Sequence, residues 1–143
     1  MRTTAIALLF GTLGLAACNT GNDLGFTPSA LTAPYVLQTA NGAALPAVVF
    51  DSASPPLKLE AVAGLITIKP NNVFSDVTTF RQTLGGVVSA RTVSCIGTYN
   101  AVGNVFEFVE TGPLPDCSRT FTGVLSGTTL TASVLGAPAV FSQ

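Results

Sequence analysis

The sequence contains neither histidine nor tryptophan. Without histidine, the commonest general base near neutral pH and the commonest transition-metal ligand are both missing. Charge is scarce: charged residues make up 9% of the chain, with six basic residues against seven acidic. The basic residues are scattered, so no patch exists to neutralise nucleic-acid phosphates, and a nucleic-acid partner is excluded. No serine is followed three positions later by lysine. Gly123-Val124-Leu125-Ser126-Gly127 lacks the Gly-x-Ser-x-Gly spacing of a nucleophile elbow and reads as a hairpin turn. No glycine loop opens a helix, so phosphate cradling is unsupported. Glu107 and Glu110 stand three apart on a predicted strand, face opposite sides, and read as solvated strand charges. A hydrolase would need a buried carboxylate pair in a cleft, and these two do not form one. The chain therefore reads as a non-enzyme with no cofactor and no metal site.

What is present begins at the N-terminus. Met1 and Arg2 form a short positive end, and an apolar run from Ala5 to Leu15 follows. That run is too short to span a bilayer and has the length of a secretory signal. Two small residues then precede a cysteine. Leu15-Ala16-Ala17-Cys18 resembles the lipobox of bacterial lipoproteins. The resemblance implies cleavage before Cys18, acylation of Cys18, and attachment of the mature chain to a membrane in the cell envelope. Asn19, where an aspartate favours inner-membrane retention in that family, implies the outer membrane, with the domain facing the periplasm or the cell surface.

Residues 1–17 are thus read as a signal peptide, 18–32 as a lipidated tether and 33–143 as one domain. The tether is rich in Gly, Asn, Thr and Pro and has no periodicity. With Cys18 assigned to the anchor, Cys95 and Cys117 remain as an even pair in an exported chain. A disulfide between them follows.

From Ala33 onward the sequence breaks into short β-rich runs separated by turn residues. Asn41-Gly42, Pro70-Asn71-Asn72, Gly85-Gly86, Ser126-Gly127 and Gly136 punctuate it. Leu57-Lys58-Leu59-Glu60 and Val105 to Glu110 alternate apolar and polar residues, the period of a half-buried strand. Gly64 predicts a bulge or bend. Eight or nine consecutive strands predict an all-β antiparallel meander. An up-and-down barrel buries one face and protects its edges, and a two-sheet sandwich satisfies the same alternation. The predicted inner face comprises Leu57, Leu59, Ile66, Ile68, Phe80, Phe106, Phe108, Phe121, Leu130 and Phe141. Lys58, Glu60, Arg81, Glu107 and Arg119 are predicted to be wet.

Leu37-Gln38-Thr39-Ala40-Asn41-Gly42 leading to Leu45-Pro46, Gly97-Thr98-Tyr99, and the terminal strands resemble small lipocalin-like barrels of the calycin type. The Gly-x-Trp of lipocalins proper has no counterpart here. The resemblance implies a binding barrel; on its inner face Phe80, Phe106, Phe108 and Phe121 are candidate lining for a small apolar molecule or lipid, or else pack the core. Docking to an envelope protein, as in inhibitor-like barrels, is the alternative.

Overall fold

The computed structural model describes residues 33–112 and 115–143. Cys18, the signal and the tether lie outside the described residues. Ten strands follow in order: β1 (Pro34–Ala40), β2 (Ala43–Ala44), β3 (Ala47–Ala53), β4 (Pro56–Lys69), β5 (Val73–Leu84), β6 (Val87–Val102), β7 (Val105–Glu110), β8 (Thr120–Ser126), β9 (Thr129–Val134) and β10 (Ala137–Ser142). A 3-10 turn, Pro115–Cys117, lies between β7 and β8.

All the pairings among the described residues are antiparallel. β1 pairs with β10 on one side, and Pro34, Tyr35 and Val36 pair with Thr67, Ile66 and Leu65 of β4 on the other. That double pairing closes β1 and β4 to β10 into an eight-stranded barrel, of the kind the sequence resemblance implies. The sandwich is thereby ruled out. β2 and β3 are additional strands at the seam, and they bring the total to ten where eight or nine were expected.

Turn chemistry sets the register. Asn41 and Gly42 have φ of 51° and 74°, the left-handed pair that a two-residue hairpin requires. Leu57–Glu60 and Leu65–Lys69 are parts of one long strand, β4. Its register against β5 shifts between Ala61 and Ala63, two residues ahead of the expected irregularity at Gly64. The shift moves the inward phase from odd to even positions. Leu57, Leu59 and Ala61 therefore share the inner face with Gly64, Ile66 and Ile68.

The core is aromatic. Phe74, Phe106 and Phe108 are fully buried with Tyr35 and Phe141. Ring centroids lie 4.9 Å apart for Phe74–Phe108, 5.0 Å for Phe108–Phe121 and 5.4 Å for Tyr99–Phe106. Tyr99, whose hydroxyl would be costly to bury unpaired, donates to the Lys69 carbonyl at 3.0 Å. At Gly97 the barrel wall comes so close that a Cβ would lie 2.2 Å from the Val109 carbonyl oxygen.

Several side chains depart from the sequence reading. Leu57 and Leu59 are half-buried, because β4, β5 and β6 run past the wall that faces them: β7 meets β6 only from Gly97 onward. Glu60, expected to be wet, is covered on the outer face by Arg81 and Lys58, whose nitrogens lie 2.8 and 3.2 Å from its oxygens. Glu110, read as solvated, is buried, and Arg119 is half-buried beside it. The alternation of β7 carries Glu110 inward with Phe106 and Phe108, and its charge is met there by Arg119.

Candidate functional site

Three connections gather at one end of the barrel: the β5–β6 hairpin, the β7–β8 segment and the β9–β10 turn. Beneath them lies a cavity of about 100 Å³. β5 supplies Asp76, Thr78 and Phe80 to its wall, one after another along the inward face. β6 adds Arg91 and Val93, β4 adds Leu59, the β7–β8 segment adds Asp116 and Arg119, and the β9–β10 turn adds Leu135. The lining thus combines apolar and ionic side chains.

The β7–β8 segment is pinned where it matters. Cys95 of β6 and Cys117 form a disulfide, with Cα atoms 5.3 Å apart. Closing a loop of 22 residues stabilises the fold by about 3 kcal/mol in the chain-entropy account. Asp76 pairs across the ladder with Cys95, so the disulfide holds Asp116 beside the cavity wall. Asp116 in turn accepts a hydrogen bond from Arg91.

Arg119 is the central cation. Its backbone N, Nε and Nη2 donate to Glu110 at 3.2, 3.1 and 2.5 Å, and Nη2 also reaches Asp76 Oδ2 at 3.3 Å. Its guanidinium stands 5.8 Å over the Phe121 ring, within cation–π range. Asp76 Oδ1 accepts from the Thr78 hydroxyl at 3.0 Å. Burial pushes the Asp76 carboxyl above the usual carboxylate range, more than Thr78 and Arg119 pull it back.

Asp76 and Glu110 are therefore two buried carboxylates near a cleft, close to the arrangement that a hydrolase needs. Only Asp76 of the two borders the cavity. The Glu110 side chain is wholly covered, and Arg119 stands between the two carboxylates. Among the described residues, no cluster of three histidine, cysteine, aspartate or glutamate side chains is placed to hold a metal ion.

The four phenylalanines expected to line a pocket separate. Phe80 borders the cavity, whereas Phe106, Phe108 and Phe121 stack into the core. Phe106, Phe108 and Phe121 pack against one another in the interior, and the cavity lies beside Phe80 toward the rim. Asp76, Thr78, Arg91, Asp116, Arg119 and Leu135 were not singled out as site residues by the sequence. For Asp76, a signal was there in Phe74-x-Asp76-x-Thr78-x-Phe80, which places a carboxylate on the same face as two core aromatics.

Leu135 stands out conformationally. It occupies a left-handed position, φ 49°, in the two-residue β9–β10 turn, where a γ-branched side chain is strained. The strain is tolerated where the leucine covers the cavity.

The fold and site together define a closed antiparallel barrel with an amphipathic recess at one end. Comparison with protein-family models, curated proteins and solved structures finds no match.

Proposed function

We propose that this chain is a lipid-anchored protein of the cell envelope whose barrel binds a small, largely apolar ligand without catalysing a reaction. The observation that carries the binding half is the cavity at the β9–β10 end, with Leu59, Phe80, Val93 and Leu135 around a few fixed polar groups. Ligand sites characteristically combine an apolar lining with a small number of placed polar groups. The volume favours a small molecule, or one end of a longer amphiphile, over a whole lipid enclosed in the barrel. Attachment through Cys18 is supported by the Leu15-Ala16-Ala17-Cys18 motif.

Native mass spectrometry of the protein purified from its own envelope tests binding. A retained small molecule, lost on Leu59→Asp or Val93→Asp substitution, is the expected result. A protein co-purifying in place of a ligand would overturn it in favour of a docking module. Metabolic labelling with a fatty acid tests the anchor: Cys18→Ser is expected to lose both the label and membrane retention.

A further inference from the structure

We propose that the cavity takes a monocation with an apolar body, an alkylamine or similar amine, whose ammonium pairs with Asp76. The proposal rests on the binding reading above and names the class of ligand.

The charges around the recess do not balance. Asp76 and Asp116 on the lining, with Glu110 behind Arg119, supply three carboxylates, while Arg91 and Arg119 supply two guanidiniums. Both guanidiniums are already engaged, Arg91 by Asp116 and Arg119 chiefly by Glu110. A ligand carboxylate would enter as a fourth anion and would have to displace one of these partners. An ammonium would complete the count.

Asp76 is where the deficit falls. It is 7% exposed and borders the cavity directly. Each of its oxygens has one protein partner, Thr78 at 3.0 Å and Arg119 at 3.3 Å. An ionised carboxylate offers about four acceptor positions, so capacity remains for a further donor. A buried charge with incomplete pairing is costly, and a cationic donor relieves that cost while a neutral one relieves less of it. Leu59, Phe80 and Val93 then receive the hydrocarbon part, which gives the ligand its amphiphilic character.

The test uses three probes of equal length, hexylammonium, hexanoate and 1-hexanol, titrated into the full chain at neutral pH by NMR. Hexylammonium is expected to bind at least tenfold more tightly than hexanoate, with shifts centred on Asp76, Thr78 and Val93. Asp76→Asn is expected to lose tenfold or more for hexylammonium and to change 1-hexanol affinity by much less. If that variant does not fold, the ranking of the probes on the unaltered chain decides. Hexanoate binding as tightly as hexylammonium, or better, overturns the cation assignment and leaves the binding reading standing. If none of the probes binds, both fail.

Discussion

Arg119 and Glu110 extend the β7–β8 ladder by one more pair: the Glu110 amide donates to the Arg119 carbonyl at 2.9 Å while their side chains join at 2.5 Å. Backbone and side chain thus hold the same two residues together at the rim. Arg119→Met removes the counter-charge of two buried carboxylates and is expected to destabilise the barrel by about 3 kcal/mol at neutral pH, at the lower end for a broken buried pair because Arg119 is half-exposed. Without the arginine, the folded-state pKa of Asp76, already raised by burial, rises further above its unfolded value. Stability linked to such a group is whole below about pH 4 and is lost as pH rises through the folded value. Urea unfolding at pH 4 and pH 7 checks this: the deficit should be smaller at pH 4.

The outer face carries the opposite case. Arg81 and Lys58 pull the Glu60 carboxyl down from 4.5 to about 2, Arg81 through its hydrogen bond being the larger influence. A lowered folded value contributes stability that is present above 4.5 and is lost as pH falls toward 2. Arg81→Ala is expected to move the acid-unfolding midpoint to higher pH, as read by circular dichroism. An unchanged midpoint would show that the pair contributes nothing to acid resistance.

Gly97 is a packing requirement. A methyl group there would meet the Val109 oxygen, Phe74 Cε1 and Glu110 Cα at 2.2, 2.6 and 2.9 Å, and two of those atoms are backbone. Gly97→Ala is expected to cost about 3 kcal/mol in chemical denaturation, near the upper end for overpacking. Gly123→Ala, which meets side-chain atoms of Phe108 and Leu130, should cost less.

Leu135 separates stability from binding. Leu135→Asn places at φ 49° a residue that tolerates the left-handed region, and is expected to stabilise the protein by about 0.5–1 kcal/mol. The same change removes an apolar part of the cavity wall, so affinity for a bound small molecule should fall. Thermal melts and ligand titration of the one variant measure both.

Much of the barrel was legible because turn residues and two-residue alternation leave strong marks. Asn41-Gly42, Gly85-Gly86 and Phe106-x-Phe108 each specified what the fold uses. The even pair of cysteines in a chain read as exported pointed to the Cys95–Cys117 bond. The recess was not legible, for a physical reason. Asp76, Arg91, Asp116 and Arg119 come from three separated stretches, and strand register together with the Cys95–Cys117 disulfide brings them together. Treating charges as outward by default hid Glu110 as well, although its own strand continues the inward phase of Phe106 and Phe108. Closure was ambiguous because alternation is the same in barrels and sandwiches, and only the pairing of Pro34–Val36 with β4 distinguishes them.

That pairing also has a mechanical meaning. Pro34 begins the strand that seals the cylinder, held between Ser142–Ala139 on one flank and Leu65–Thr67 on the other. A pull applied to Pro34 along β1 loads the β4 pairing at Pro34–Val36 and the β10 pairing at Val36–Ala40 in shear.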